Sequence, residues 1–524
     1  MTFVFRNNTI ERFMPADYLF SGYDDISLVP DEATDFVWWY QVPMKFDNGN
    51  LVGEINSYIN KIRLVLSAIG HRQFVVFTLV DICSSSVESG DFSRQKAIEG
   101  FNRGIYTLSD ENPNVKVLDF ALFTHQYSQE SLIDWKLYML SQTPINPKLS
   151  GDFKSWYAKQ LRAVSLIRKK CLILDLDNTL WGGILGEDGV NNIQISGSYP
   201  GKAFSLWQQG LNQLKKDGVI LCICSKNNMA DVEEVWAKRD DMILKKDDFA
   251  AVRVNWQDKA ANIRSLAEEL NIGLDSMVFV DDNPAERELI RQQLPMVSVP
   301  DFPSQPYDLP KLYQYLVSEY FRIYSLTNED RSKTEQYRQN AQRKEVAEQF
   351  TNMNDYLRSL QMVLSIASVS PQTISRAAQM TQKTNQFNLT TKRYTEADID
   401  NFLNTGGQGW TISVADKFGD HGITGLVLVT NEGVIDTFLM SCRVLGKGIE
   451  NVFLRVILSL LKKQGMCSVT GQYFPTYKNG QTIKFYPNNG FNLIESDEKG
   501  NVLYHLLLDN ADLNIEDYFT IKIS

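Results

Sequence analysis

The chain has 524 residues, 43% hydrophobic and 22% charged, ordinary values for a globular protein, and that length predicts two to four domains with ample core in each. A formal net charge of −10 with no dense Lys/Arg block argues against nucleic-acid binding, and no apolar run is long enough to cross a bilayer. Six scattered Cys, four His and no Cys-x-x-Cys pair argue against a disulfide framework or a zinc site, and the opening Met1–Arg6 run meets Asn and Glu at once, so a cytoplasmic protein with reduced thiols is expected.

Residues 1–160 alternate strand patterns (2–5, 35–40, 73–80, 115–120) with amphipathic helical ones (51–69, 92–108, 128–140), which reads as α/β. Ser84, Ser85 and Ser86 follow the third strand and are best explained as a polar loop. Then Leu172-Ile173-Leu174 runs into Asp175 and Asp177, followed by a Gly-rich turn at Gly182 and Gly183. That order predicts a buried parallel strand delivering two carboxylates to its carboxyl end, where open α/β sheets bind ligands. A helix-like stretch at 202–216 precedes a second apolar strand ending in Cys224-Ser225-Lys226-Asn227. Lys259 opens another helical stretch, and a third strand ends in Asp281-Asp282-Asn283-Pro284. A long polar segment of mixed charge, about 328–350, reads as a solvated connector. In the last part, strands at 425–429 and 434–441 lead to Arg443-Val444-Leu445-Gly446-Lys447-Gly448 and a helix at 449–463. A polar stretch at 376–390 reads as a helix end able to line a polar pocket, with a plain hydrogen-bonded turn as the equal alternative.

Carboxylates as close as Asp175 and Asp177 repel unless a cation lies between them, so a divalent metal is implied. Only 46 positions separate Thr179 from Ser225, which leaves no room for a large inserted cap; the residues from Trp181 to about Tyr199 could form a small flap. Gly446 and Gly448 before a helix would let backbone approach a phosphate at the helix N-terminus.

Asp-x-Asp-x-Thr at 175–179, Ser225, Lys259 and the Asp281–Asp282 pair, in that order, resemble the four motifs of the haloacid dehalogenase (HAD) superfamily of phosphatases and phosphotransferases. The resemblance implies that Asp175 attacks phosphorus and forms an aspartyl-phosphate, with Asp177 as acid and then base. Ser225, Lys226 and Asn227 would bind the substrate phosphate, and Lys259 would screen it, with Lys226, Lys245 and Lys246 as other candidates for that lysine. Mg²⁺ would be held by Asp175, Asp177 through its backbone carbonyl, Asp281 and Asp282. Asn178 is read as a turn residue.

The order of parts along nearly the whole chain is similar to FkbH-like proteins of HAD subfamily IIIC. That likeness implies an α/β protein of three domains: SGNH-hydrolase-like at 1–160, HAD at 161–325 without a large cap, a helical connector at 326–350 and a GNAT-like acetyltransferase fold at 351–524. Arg6-Asn7-Asn8-Thr9 stands where the SGNH pattern has Gly-Asp-Ser, and the stretch from Asp134 to Leu137 lacks the basic His, so a non-hydrolytic scaffold is expected there. Arg443, Gly446 and Gly448 match the GNAT pyrophosphate loop, and Phe485-Tyr486 before Gly490-Phe491 matches another GNAT signature. The function implied is Mg²⁺-dependent removal of phosphate from a phosphorylated small molecule, coupled in carrier-linked members to moving a glyceryl unit onto an acyl carrier protein. Cys224, beside Ser225, could then hold an acyl group. Two rivals stand beside this: acyl transfer by the C-terminal domain, and a non-catalytic module that docks a carrier protein. No nucleic-acid or membrane partner is expected.

Overall fold

The computed structural model describes residues 1–45, 48–82, 90–165, 167–324, 339, 343, 350, 352–441 and 444–524. Ser84, Ser85, Ser86, Arg443 and nearly all of the expected 326–350 connector lie outside the described residues. The chain folds as two compact units, Met1–Ser165 with Tyr394–Asn404, and Leu166–Arg393 with Thr405–Ser524. Among the described residues the strands form three sheets, and the protein is mixed α/β.

In the first unit, β1 (Thr2–Arg6), β2 (Leu19–Tyr23), β3 (Asp35–Trp39), β4 (Gln73–Phe77) and β5 (Val115–Leu118) pair in parallel in the order β2-β1-β3-β4-β5. β3 and β4 are nearly continuous apolar runs because both faces of a parallel sheet are covered. Trp39 stacks on Phe153 with ring centroids 4.4 Å apart, so the Ser150–Val164 helix closes this core. That helix runs on to Val164, and the first stretch of the unit reaches Ser165. The helix expected over 128–140 is two short ones, Gln129–Leu132 and Trp135–Ser141, because Asp134 is an N-cap whose carboxylate accepts from the Leu137 amide at 3.0 Å. Asn7, just past β1, pairs its side chain with both backbone groups of Gln41.

In the second unit, β6 (Cys171–Leu174), β7 (Ile220–Ser225), β8 (Ala251–Val254) and β9 (Met277–Val280) form a parallel sheet in the order β8-β7-β6-β9. The Gly201–Lys216 helix buries Phe204, Trp207, Leu211 and Leu214 against it. Its spacing of apolar residues is the reason this stretch is legible as a helix.

The remaining strands are β10 (Met362–Ser368), β11 (Gln408–Asp416), β12 (Gly419–Val429), β13 (Val434–Met440), β14 (Ser468–Tyr473), β15 (Asn492–Ser496), β16 (Val502–Leu507) and β17 (Phe519–Ile523). Their order is β15-β16-β14-β13-β12-β11-β10-β17. β13 and β14 run parallel but pair only at Val434–Thr470 and Ile435–Gly471, after which they diverge. The chain's own Phe387–Thr390 fills that fork. The Leu389 amide donates to the Phe438 carbonyl at 3.1 Å, the Met440 amide to Phe387 at 2.9 Å, and the Phe474 amide to Leu389 at 2.8 Å. The amides and hydroxyls at 376–390 are thus partly a backbone wedge.

This unit carries an acid-sensitive buried pair. His421 is 1% exposed, and Asp416 beside it takes two hydrogen bonds from Arg343, each 2.7 Å. Burial pushes the His421 imidazole down to about 4, with the Asp416 carboxylate opposing that shift and Arg343 and Lys447 adding to it. The unfolded chain therefore binds this proton first, and stability falls as pH drops from about 6.5 to about 4, by roughly 3 kcal/mol from this group. Urea midpoints of wild type and His421→Gln at pH 7, 5.5 and 4 should show a shallower decline in the variant. Parallel declines would remove His421 from the account.

Candidate active site

Three adjacent strands deliver the site. Asp175 follows β6, Ser225 closes β7 and Asp281 follows β9, so the three side chains converge at the carboxyl end of the sheet. One carboxylate oxygen from each of Asp175, Asp281 and Asp282 lies within 4.8 Å of the others, a group that could hold a metal ion. Asp281 is fully buried, Asp175 is 7% exposed, and Asp175 Oδ1 is buried with no hydrogen-bond partner. An orphaned anionic oxygen facing two more carboxylates fits a hard, oxygen-seeking cation such as Mg²⁺.

Lys259 supplies a cation to two carboxylates of this group. Its Nζ lies 2.6 Å from Asp281 Oδ2 and 3.1 Å from Asp175 Oδ2. Asp258 places it: as N-cap of the Lys259–Leu270 helix, its carboxylate accepts from the Ala261 amide at 2.9 Å. Burial would lower the Lys259 ammonium, but the charges of Asp175 and Asp281 outweigh that and raise it. The other lysines weighed from sequence go elsewhere. Lys226 pairs with Glu286, Lys246 with Glu233, and Lys245 donates to the Arg239 carbonyl at 2.7 Å.

Burial pushes the Asp282 carboxyl up to about 6, helped by the charges of Asp175 and Asp281. Asp281 is raised for the same reasons, burial first. The Lys259 ammonium holds back part of both rises.

Asp177 stands apart from the three-carboxylate group. Its Oδ1 accepts from Trp181 Nε1 at 3.0 Å and the Leu185 amide at 3.1 Å, and its Oδ2 accepts from Asn227 Nδ2 at 2.9 Å. Burial raises the Asp177 carboxyl, and the bonds from Leu185, Trp181 and Asn227 hold part of that rise back. Of the residues expected on the substrate phosphate, Asn227 donates to Asp177 and Lys226 pairs with Glu286. The loop that carries Trp181 and Leu185 is built by Gly182 and Gly183. Gly182 exchanges backbone hydrogen bonds with Gln194 at 2.9 and 2.8 Å, and Gly183, at φ +96°, has no room for a Cβ beside Asp188. Asn178 sits at φ +52° and accepts from the Gly183 amide at 2.9 Å, a turn residue as expected.

Two supports were not read from the sequence. The fully buried Thr179 hydroxyl accepts from the Asp282 amide at 3.0 Å, and Arg287 Nη1 donates to the carbonyls of Asp281 and Asp282 at 2.8 Å each. Thr179 belonged to the recognised pattern, yet only the paired strand ends reveal its partner. Cys224 is fully enclosed, and burial pushes its thiol up to about 12, which leaves it protonated and shielded. In the C-terminal part, Gly446 and Gly448 lie at φ +79° and +77° with open space where a Cβ would stand, and Gly448 caps the Ile449–Lys463 helix.

No protein-family model and no curated protein matches the chain. Among solved structures, it is similar to an acetyltransferase of the GNAT family from Staphylococcus aureus (17% identity, 28% of this chain, 99% of that chain, TM-score 0.22). It is also similar to the ribosomal-protein-S18-alanine N-acetyltransferase of Escherichia coli (13% identity, 29% of this chain, 99% of that chain, TM-score 0.23). A larger likeness is to the N-terminal part of a Bacteroides fragilis protein containing a phosphatase domain, complexed with Mg. There the identity is 27% over 62% of this chain and 94% of that one, with a TM-score of 0.53.

Proposed function

We propose that this chain is a Mg²⁺-dependent phosphatase or phosphotransferase of the HAD type that acts on a phosphorylated metabolite. The observation that carries the reading is the convergence of Asp175, Asp281 and Asp282 at two adjacent strand ends, with the Lys259 ammonium on Asp175 and Asp281 and one Asp175 oxygen left without a partner. The likeness to a phosphatase domain complexed with Mg supports it. Asp175, Asp281, Asp282 and the Asp177 carbonyl would hold the ion. Bound there, Mg²⁺ would offset the charge of the carboxylates and of the phosphoryl oxygens.

In this reading an Asp175 carboxylate oxygen attacks phosphorus and the bond to the leaving oxygen breaks. Asp177, held by Trp181, Leu185 and Asn227, gives its proton to that oxygen. It then takes a proton from the water that cleaves the aspartyl-phosphate. A carboxyl raised by burial suits the first role. Ser225 and Lys259 hold non-bridging oxygens. Cys224 is given a core-packing role, and no acyl group is routed through it.

The proposal extends to a carrier-linked substrate only as one arm of its test. Phosphate release should be screened over sugar phosphates, phosphoglycerates and carrier-bound substrates. We expect release from at least one class with Mg²⁺, a fall to background in EDTA and recovery when Mg²⁺ is returned. Undiminished turnover in EDTA would refute the metal-dependent reading. A second reading, acyl transfer by the C-terminal part, draws on the open Gly446–Gly448 turn at a helix N-terminus. Against it, an extended ligand pairing with β13 where it diverges from β14 would have to displace Phe387–Thr390. The first unit is read as a non-hydrolytic scaffold, since Asn7 is tied to Gln41 where a nucleophile would stand.

A further inference from the structure

A cavity of about 440 Å³ lies within the second unit, far from the carboxylates. One wall comes from the amino ends of the phosphatase-type sheet: Lys170 precedes β6, Ile220 opens β7, and Asp275 and Ser276 precede β9. Asp175, Ser225 and Asp281 lie at the opposite ends of the same strands, roughly 13–20 Å away for strands of this length. The other wall is the end of the Ile374–Lys383 helix and the residues after it, the end of β13, and Tyr477 and Lys478 beyond β14.

The charge of this cavity runs against the chain. Overall the protein has 63 acidic and 53 basic residues, yet Lys170, Arg376, Lys383 and Lys478 line the cavity against the single carboxylate of Asp275. That carboxylate is already engaged by Lys478, and the Asp275 carbonyl accepts from Lys169 at 2.5 Å. The amides of Asn385 and Gln386 stand beside the cations, with Met380 and Met440 as apolar floor. A concave site of this size, with cations and amides in its lining beside an apolar floor, has the chemistry to recognise a small anion.

We propose that this cavity is a second ligand site, for an anionic metabolite bearing a phosphate or carboxylate, separate from the metal-dependent centre. It does not rest on the phosphatase reading. The test is calorimetric titration of the full chain in EDTA, at fixed ionic strength, with glucose 6-phosphate and with citrate as probes. At least one should bind one-to-one with a submillimolar Kd, and which one binds names the anion. Lys383→Gln combined with Arg376→Met should weaken it at least tenfold, Lys383→Arg should retain it, and Asp175→Asn should leave it unchanged. Retention in Lys383→Arg separates loss of charge from loss of fold. Absence of saturable binding by both probes would overturn the proposal. So would binding that disappears in Asp175→Asn while surviving the double replacement at the cavity.

Discussion

Asp175→Asn is expected to lower the rate of phosphate release by about 10⁴-fold or more, because an amide oxygen is a poor nucleophile and no neighbouring group can replace it. The fold should survive the change. Asn has nearly the same shape, Asp175 is only 7% exposed, and its Oδ1 makes no hydrogen bond that would be lost. The metal-free protein should stay near wild type in stability, since losing the Asp175 charge relieves Asp281 and Asp282, while Lys259 gives up one partner and keeps Asp281 at 2.6 Å. The Mg²⁺-dependent gain in melting temperature should shrink, because one of three converging ligands has lost its charge. This pairing of effects is diagnostic: activity gone, metal-free stability kept, metal-linked stability reduced. Turnover within tenfold of wild type would remove Asp175 from the nucleophile's role.

The parts that were legible in the sequence share one physical cause. Strands buried on both faces must be continuous apolar runs, so 172–174, 218–224 and 277–280 announce themselves, and the polar residues that break each run mark its carboxyl end. Helices with one apolar stripe, such as Gly201–Lys216 and Ile449–Lys463, were legible for the same reason. β2 and β8 were not. The first is a half-exposed edge strand with Ser21 and Gly22 inside it, and the second, Ala251–Val254, has Arg253 in its four residues. Edge strands need less apolar surface, and their pattern is correspondingly weak. The site followed the same division. Residue type and order were enough to single out Asp175, Lys259 and Asp281, scarce chemistry that the fold brings together. The protein partners of Asn227 and Lys226 were not legible, because an amide or an ammonium at a strand end has many partners and only packing selects one. The wedge at Phe387–Thr390 was least accessible of all, since it depends on β13 and β14 diverging after two paired positions.

Lys259→Met tests the other half of the site. Lys259 is 3% exposed and its ammonium bridges two buried carboxylates, so its removal leaves Asp175 and Asp281 facing each other without compensation. Stripping one partner from a buried ion pair costs about 3–5 kcal/mol, far more than the pair's net worth, because the remaining charge keeps its desolvation penalty. Urea unfolding in EDTA should therefore show a large loss in this variant. A cation in the carboxylate group would replace part of the missing charge, and at a concentration 100-fold above Kd it contributes about 2.7 kcal/mol. Mg²⁺ should thus rescue Lys259→Met proportionally more than wild type, whose own ammonium already offsets the carboxylates. Activity should stay depressed by about 10²–10³-fold even in saturating Mg²⁺, since the phosphoryl oxygens lose a buried donor. Lys226→Met is the control: that ammonium is 38% exposed and its partner is Glu286, so its loss should cost no more than about 1 kcal/mol. Equal behaviour of the two variants, in stability and in rescue, would mean that Lys259 is one more surface cation and that the three carboxylates are held together by something else.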